Sequence, residues 1–293
     1  MNYDHSNLVV HAHPRADGLM TRITPEMAGW EYITFEVRAL NVGQSHSQMT
    51  GANELGIVVL SGTVSVQSNK GNWLHVGQRY SVFEGKPYAI YLSRNSNFKI
   101  TAESDAEIAF GWSPTNQDHP ARLIEPKDIP VEIRGGDNAT RQINGVIPPG
   151  FDCQRLVIVE VYTPSGNWSS YPPHKHDVHR VDGNGKVLEV KQEEVYFYKI
   201  DKLDGFAYQR VYTDEHSSFQ KAGNPFDAVV VARNNDAVII PGGYHPVASP
   251  PGYTTYYLNV LAGSAQSLAN FEDPRYAWVR GSYKGVDSRV PLY

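Results

Sequence analysis

The sequence predicts an all-β protein built from sandwiches or barrels, and three observations support this. Short β-branched or aromatic runs alternate with turn signals about every 8–12 residues. The chain of 293 residues contains 25 Gly and 19 Pro, and its 18 Tyr and 10 Phe suit pleated, half-buried surfaces. Helical periodicity is weak throughout, so we expect helical turns only near residues 24–29 and 264–272.

The predicted strands are spread along most of the chain. They are 56–67, 98–102, 155–163, 194–200, 207–213, 227–232 and 254–263. The stretch 113–150 differs, because it is rich in Pro, Gly, Asn and Asp. We therefore predict an N-terminal domain at 1–115, a connection at 116–150 and a C-terminal domain at 151–293.

Charge and composition argue against several classes of protein. The net charge of −5 includes no basic stripe, which argues against a nucleic-acid partner. The sequence contains no run of 18 apolar residues, so we expect no membrane span. The first ten residues do not resemble a signal peptide. Cys153 is the only cysteine, which excludes a disulfide framework and a cysteine-based zinc site. We expect a cytoplasmic protein.

The two halves share an order of polar residues that indicates an internal duplication. In the second half the order is His174, His176, Glu194 and His245. A weaker copy in the first half is His46, Gln48, Glu54 and Tyr91. A duplication with one intact and one decayed site explains both, and the alternative is coincidence in a chain rich in Tyr and Pro.

The second set has the properties of a metal centre. On a strand, His174 and His176 point to the same side. Glu194 shares a strand face with Tyr196 and Tyr198, which is typical of a pocket wall. Together with His245, which follows a tight Pro-Gly-Gly-Tyr turn, they offer three imidazoles and one carboxylate. This ligand set suits one divalent ion, Zn, Mn, Fe, Co or Ni, and leaves positions open for catalysis.

A simpler interpretation of the second-half histidines remains open. They could be ordinary surface or core residues without a metal. The chain also contains a second His-x-His pair, His11 and His13, near its start. That pair lacks a carboxylate and a third histidine at suitable distances, so we interpret it as a surface or strand-pairing feature.

Several segments resemble a known family. They are WSSYPPHKHD (168–177), EEVYFYKI (193–200), QRVYT (209–213), PGGYHPV (241–247), PGYTTYYLNVLAG (251–263) and RGGDNATRQI (134–143). The order His-x-His, Glu, His resembles the metal site of the cupins, which are jelly-roll β barrels. The segments are more similar to the bicupin 5-deoxy-glucuronate isomerases of myo-inositol catabolism. The resemblance implies a bicupin, two jelly-roll cupin domains from an internal duplication, of which the first is degenerate and without a metal.

The sequence departs from the general cupin pattern in two places. Seventeen residues, 177–193, separate the His pair from the carboxylate, and we expect a loop inserted at the barrel rim. Glu193 and Glu194 are adjacent, so either could be the ligand. Related isomerases with a shorter loop keep their Glu immediately before an aromatic run, which favours Glu194.

The resemblance implies a reaction. It is the aldose–ketose isomerisation of 5-deoxy-D-glucuronate to 5-dehydro-2-deoxy-D-gluconate, with a divalent metal stabilising an enediolate and no redox cofactor. Candidates for proton transfer are Tyr196, Tyr198 and Tyr257, with Lys175 and His179 as further possibilities. Candidates for binding the substrate are Arg210, Arg141, Arg180, Lys175 and Asn259, the arginines through the carboxylate and Asn259 through a hydroxyl. The side chain of Lys175 should point away from the face shared by the two histidines.

Other functions remain as alternatives at this point. A related uronate isomerase, acting on 5-dehydro-4-deoxy-D-glucuronate, shares the metal set. A cupin dioxygenase uses similar ligands, but its pocket is usually apolar. A non-catalytic sugar-binding cupin would not need all four ligands. A monomer and a homodimer are both compatible with the sequence.

Overall fold

The computed structural model describes residues 2–293. Its first elements are β1 (Val9–Val10), β2 (Leu19–Ile23), α1 (Pro25–Ala28), β3 (Thr34–Leu40), β4 (Ser45–Met49), β5 (Asn53–Ser61), β6 (Val64–Ser68), β7 (Gly71–Val76), β8 (Ala89–Leu92), β9 (Asn97–Ala102), β10 (Ala106–Pro114) and β11 (Arg122–Ile124). Thr24 caps α1 at its start and Gly29 ends it in a left-handed conformation, so the predicted helical turn at 24–29 is confirmed.

The remaining elements are also mostly strands. They are β12 (Val131–Arg134), β13 (Arg141–Ile147), β14 (Val157–Thr163), β15 (Trp168–Ser169), β16 (His174–Lys175), β17 (Asp177–Val181), β18 (Val187–Ile200), β19 (Phe206–Tyr212), α2 (Ser218–Lys221), β20 (Asp227–Arg233), β21 (Ala237–Ile240), β22 (Val247–Ala248), β23 (Thr255–Gly263) and β24 (Phe271–Glu272), with 3₁₀ turns at Pro126–Asp128, Asp137–Ala139 and Ala277–Ser282. The helical turn predicted at 264–272 is wrong, because this stretch contains only bends and irregular backbone before it ends in β24. No helix among residues 2–293 has the length and hydropathy of a membrane span.

The strands form two barrels, each with a large and a small antiparallel sheet. In the first barrel the large sheet has the order β11-β8-β5-β10-β3-β2 and the small sheet β4-β9-β6-β7. In the second barrel the large sheet is β1-β21-β18-β23-β14-β13-β12, with β17 beside β18, and the small sheet is β15-β22-β19-β20. The predicted all-β architecture of two jelly-roll barrels is confirmed.

The stretch 116–150 contributes strands to both barrels. β11 closes the large sheet of the first barrel, whereas β13 pairs with β14 in the second. Near the start of the chain, β1 adds to the edge of β21 in the second barrel. We propose domain limits that assign β11 to the first domain and β12 and β13 to the second. The side chains of His11 and His13 are exposed, as expected for a surface feature.

The two barrels pack through their large sheets. Val58 and Leu60 of β5 share one apolar core with Val195 and Phe197 of β18. The alternate residues of both strands face the interior of their own barrel, because successive side chains of a strand point to opposite faces. Strands β5 and β18 are therefore buried on both sides.

The strand registers show which residues of the two halves are equivalent. The pairings of β5 and β18 with their neighbours place Leu55 at the position of Glu194, and Glu54 at the position of Glu193. The expected correspondence of Glu54 with Glu194 is therefore wrong by one residue. Such a slip moves a side chain to the other face of its sheet. Glu54 and Tyr91 lie between the barrels, where the Tyr91 hydroxyl donates to Glu54 at 3.0 Å.

Two buried carboxylates join the barrels with pseudo-twofold symmetry. Glu54 of the first barrel accepts hydrogen bonds from the backbone N–H groups of residues 154–156, at 2.7–3.0 Å. Glu193 of the second barrel accepts them from residues 31–33, at 2.6–3.1 Å. Each segment immediately precedes an equivalent strand, β14 or β3. We call Glu54 and Glu193 the interdomain carboxylates.

The interior of the first barrel is filled by apolar side chains. Leu55, Ile57 and Val59 of β5 belong to this core. His46 and Gln48 remain at one end, where the His46 Nε2 lies 3.1 Å from the Gln48 Oε1. Within residues 2–293, no cluster of potential metal ligands lies in this barrel.

The interdomain carboxylates provide a test of how the barrels are joined. In a Glu54→Gln variant, an amide with one oxygen and one NH₂ group faces three backbone donors. We expect the free energy of unfolding to fall by about 2–4 kcal/mol, because buried donors lose their acceptor. Chemical denaturation would measure this loss.

Glu132→Gln is the matched control. Glu132 is exposed and forms a surface ion pair with Arg134, so its replacement should cost about 1 kcal/mol or less. Equal losses in both variants would contradict the role assigned to Glu54.

Candidate metal and active site

Three of the predicted metal ligands meet inside the second barrel. The Glu194 Oε2 lies 3.0 Å from the His176 Nε2 and 3.3 Å from the His245 Nε2. The ligand atoms of all three residues lie within 4.8 Å of one another, and all three are buried. Glu194 reaches this point because its face of β18 turns into the barrel. Glu193 turns towards the first barrel instead.

The fourth predicted ligand, His174, lies at the edge of this cluster. Its ring stands edge-on to that of His245, with 5.0 Å between the ring centres. It also lines the same cavity as His176 and Glu194. The structure thus brings all four residues to one site. His174 lies at its edge, outside the group of three whose ligand atoms are within 4.8 Å of one another.

Backbone carbonyl groups orient two of the imidazoles for metal binding. The His176 Nδ1 donates to the carbonyl of Gln192 at 3.1 Å, and the His245 Nδ1 donates to that of Gly243 at 2.9 Å. Both Nε2 atoms therefore face Glu194. The His245 Nε2 is buried and has no hydrogen-bond partner. Metal-binding histidines are typically held in this way, so these residues fit a divalent ion.

Burial sets the protonation of the cluster. It lowers the pKa of His245 to about 3, with the His176 charge adding to the effect. Burial, together with His245 and His176, also lowers the pKa of His174 well below its usual range. For His176 burial also acts to lower the pKa, but the hydrogen bond and negative charge of Glu194, with the Gln192 carbonyl and Asp177, together outweigh burial and raise the pKa. His174 and His245 are therefore neutral, the form in which imidazole binds a metal.

The cluster opens onto a small cavity of about 50 Å³. Its walls include β14, β18, β23 and the segment before β24, and they combine apolar with polar side chains. A cavity of this size holds only one or two water molecules, whereas pockets for small ligands measure about 300–1,000 Å³. Binding of a six-carbon acid therefore requires part of the wall to move.

Two of the three predicted tyrosines line the cavity. The Tyr196 hydroxyl lies 3.1 Å from the Ser170 Oγ, and the Tyr257 hydroxyl forms a hydrogen bond with Ser169. The Tyr198 hydroxyl lies deeper and donates to Gln209 at 2.9 Å. Burial raises the pKa of all three, so they are neutral phenols near pH 7.

Arg141 is the predicted arginine that the structure places in the cavity wall. It is buried, and its guanidinium donates to the carbonyl of Tyr171 at 3.3 Å. It forms no ion pair with any carboxylate of residues 2–293. Burial lowers its pKa, yet an arginine remains charged. The site thus contains an unpaired cation close to Tyr257.

The other predicted cations lie outside the cavity. Arg210 is partly exposed and pairs with Asp227 at 2.6 Å. Arg180 pairs with Glu189 at 3.1 Å. Lys175 points away from the two histidines, as expected, and is buried between two carboxylates. The exposed His179 lies 2.8 Å from the Ser264 hydroxyl.

The cavity also contains amides, of which only Asn259 was predicted. Asn259 lies in the wall and donates to the carbonyl of Val195 at 3.4 Å. Gln192 and Asn270 are additional wall residues. Gln192 could have been found from strand alternation, because it lies two residues before Glu194. Asn270 follows no periodic strand, so no sequence signal indicated it.

A jelly-roll pair with one His-rich, carboxylate-containing pocket defines a bicupin. The comparison with protein families is more specific. The model of the KduI/IolB family matches residues 8–279, and the chain belongs to this family.

Curated relatives match over almost the full chain. A protein of Geobacillus thermodenitrificans named 5-deoxy-glucuronate isomerase is 40% identical over 279 residues, which cover 94% of this chain and 97% of the relative. A protein of Bacillus subtilis strain 168 with the same name is 37% identical over 263 residues, which cover 89% and 92%.

Solved structures support the same fold. An IolB-like protein of Salmonella typhimurium LT2 is 36% identical and superposes with a TM-score of 0.85, covering 93% of this chain and 98% of that chain. The oxalate decarboxylase of Lactobacillus farciminis shares the fold at 13% identity, with a TM-score of 0.60 and coverage of 92% and 90%. The related enzyme of Bacillus subtilis, with a TM-score of 0.57, is described with Mn(II) centres.

The metal cluster generates a direct prediction. The purified protein should contain about one divalent ion per chain, and His245→Ala should lose most of it, because an Nε2 ligand is removed. Elemental analysis of both proteins would measure this. His46→Ala is the control, since His46 lies in the first barrel and should leave the metal content unchanged. Metal lost equally from both variants would contradict the assignment.

Proposed function

We propose that this protein is a metal-dependent sugar-acid isomerase that converts 5-deoxy-D-glucuronate to 5-dehydro-2-deoxy-D-gluconate. The observation that carries the proposal is that His176, Glu194 and His245 meet at one point, while the unpaired Arg141 lies in the wall of the cavity beside them. The site offers a cation centre for the reacting oxygens and a separate cation for a carboxylate. The names of the curated relatives support this substrate.

The proposed metal ligands are His174, His176, Glu194 and His245. A divalent ion held by them supplies Lewis-acid stabilisation of negative charge on the C1 and C2 oxygens of the substrate. Zn, Mn, Fe, Co and Ni all suit a ligand set of three imidazoles and one carboxylate. The backbone carbonyls of Gln192 and Gly243 keep the two Nε2 atoms directed at the centre.

The chain's own residues have three proposed roles around this centre. Tyr257 and Tyr196, as neutral phenols, donate hydrogen bonds to substrate oxygens and exchange protons with them. Arg141 binds the C6 carboxylate by charge-assisted hydrogen bonds. Asn259 and Gln192 bind hydroxyl groups. Tyr198 supports the wall, because its hydroxyl lies deeper, bonded to Gln209, and the residue does not line the cavity.

The charged and polar side chains in the cavity wall favour isomerisation over oxygen chemistry. Charged and amide side chains such as Arg141 and Asn259 suit a hydrophilic acid, whereas dioxygenase pockets are usually apolar. The isomerase reaction moves one proton between adjacent carbons and needs no oxidant. Oxygen consumption therefore separates these two functions.

The experiment that tests the proposal follows the reaction by NMR. The purified, metal-containing protein is incubated with 5-deoxy-D-glucuronate in D₂O, and a parallel sample receives 5-dehydro-4-deoxy-D-glucuronate. We expect the first substrate to give the 2-deoxy ketose without oxygen uptake, with a deuteron incorporated where the transferred proton exchanges with solvent. Turnover of the second substrate alone would identify the related uronate isomerase, and oxygen uptake would overturn the proposal.

The role of Arg141 generates a further prediction. Arg141→Lys keeps the charge but loses the planar fork, so we expect KM for 5-deoxy-D-glucuronate to rise about 10- to 100-fold, as for a charged hydrogen bond worth about 1.5–3 kcal/mol. Steady-state kinetics would measure it.

Arg210→Lys is the matched control, because Arg210 lies outside the cavity and pairs with Asp227. A neutral analogue, in which a hydroxymethyl group replaces the C6 carboxylate, should bind with the same affinity to wild type and to Arg141→Lys. A KM unchanged in Arg141→Lys, or raised equally in Arg210→Lys, would assign the carboxylate to another residue.

A further inference from the structure

A buried polar cluster lies behind the metal-ligand histidines. The Lys175 Nζ donates to the Asp177 Oδ1 at 2.7 Å and to the Glu189 Oε1 at 2.6 Å. The side chains of all three residues are about 1% exposed. Because Lys175 lies between His174 and His176 in the chain, this cluster occupies the opposite face of the histidine segment.

The second oxygen of Asp177 reaches a different part of the chain. Its Oδ2 accepts a hydrogen bond from the Ser217 hydroxyl at 2.5 Å and from the backbone N–H of Gly243 at 3.1 Å. Gly243 belongs to the turn that precedes His245. The carboxylate of Asp177 thus bridges the segment of two histidines and the turn of the third.

The backbone of this turn lies in close contact with Asp177. Gly243 has a φ of +79°, which favours glycine. A Cβ added to Gly242 would lie 2.8 Å from the Cβ of Asp177, so the backbone approaches closely there. The carbonyl of Gly243 accepts the hydrogen bond from the His245 Nδ1 at 2.9 Å. Gly243 therefore forms hydrogen bonds through both of its backbone groups. Its N–H donates to Asp177, and its carbonyl group accepts from His245.

We propose that Asp177 is a positioning residue for the metal centre. By holding the N–H of Gly243, it fixes the carbonyl that sets the tautomer and direction of His245, and it ties His245 to the segment of His174 and His176. Lys175 donates a charge-assisted hydrogen bond to the other oxygen of Asp177 and so holds the carboxylate in place. This inference rests on the metal centre of the proposed function and adds the residue that holds its separate ligands in register.

A purely structural role for Asp177 makes a different prediction. The loss of a buried, paired carboxylate destabilises a protein wherever it lies. A positioning role additionally requires weaker metal binding in the folded protein and a changed ligand geometry. Outer-shell partners of metal ligands typically contribute about 10- to 100-fold in metal affinity.

The test uses full-length, metal-stripped wild type and Asp177→Asn, titrated with Co(II). Calorimetry measures affinity, and the visible absorption bands of bound Co(II) report its coordination. We expect Asp177→Asn to bind Co(II) about 10- to 100-fold more weakly, with altered bands, because His245 is no longer held. Unchanged affinity and unchanged bands would overturn the proposal.

The matched control is Asp236→Asn. Asp236 is also buried, and it also accepts a backbone hydrogen bond, from Arg233 at 2.8 Å. It precedes β21, at the end opposite to the turn of His245. We expect this variant to lose stability while keeping the affinity and the bands of the wild type. An equal loss of affinity in Asp236→Asn would overturn a specific role for Asp177.

A second variant keeps the test decisive if Asp177→Asn does not fold. Ser217→Ala removes one donor to the Asp177 Oδ2 without leaving a buried charge unpaired. We expect a loss of Co(II) affinity of several-fold with normal folding, and wild-type affinity would overturn the proposal. Failure of the wild type to bind Co(II) would instead contradict the metal centre of the proposed function, so the two failures are distinguishable.

Discussion

The register of β18 is the constraint on which the rest of the structure depends. This strand is buried on both faces, and its side chains alternate between two environments. Val195 and Phe197 pack between the barrels, whereas Glu194 and Tyr196 face the pocket. Glu193 holds the backbone of the first barrel at 2.6–3.1 Å. A shift of one residue would exchange Glu194, the proposed metal ligand, with the interdomain carboxylate, so the contact between the barrels and the polar pocket depend on the same register.

The first barrel has the same strand arrangement as the second, but in the described part of the chain its interior contains no polar pocket. Leu55 stands where the second barrel has Glu194, and its neighbours fill the interior with apolar side chains. The interdomain carboxylate Glu54 is retained nevertheless, because the contact between the barrels needs both halves of the symmetric pair. Both barrels thus share the side of the strand that joins them, whereas within residues 2–293 only the second barrel has the polar side that faces a pocket. In the second barrel polar side chains replace part of the apolar packing. Such departures from apolar packing are common at functional sites.

Strand alternation explains both what could be predicted from the sequence and what could not. Turn spacing predicted a sandwich or barrel, the stretch 113–150 and the repeated order of polar residues predicted two domains, and the jelly-roll form came from the family resemblance. The preference for Glu194 over Glu193 agrees with the face that the structure gives it. Glu54 was misaligned because Glu193 and Glu194 are adjacent and identical, so the sequence does not show which of them Glu54 matches. Arg210 could not be separated from Arg141, since the pairing of Arg210 with Asp227 depends on the register between β19 and β20. The bridge from Asp177 to Gly243 joins residues 66 apart and left no local signal.

The small cavity indicates which part of the wall can open. Strands β14, β18 and β23 are continuous members of a large sheet, so displacing them would break many backbone hydrogen bonds at once. The segment that contributes Leu268 and Asn270 is different, because it leads into β24, which pairs with β16 through only two residues. Elements with few such bonds open at the lowest cost. One of the two β16 residues is His174, the proposed metal ligand at the edge of the cluster. Movement of this segment to admit a substrate would therefore also displace His174.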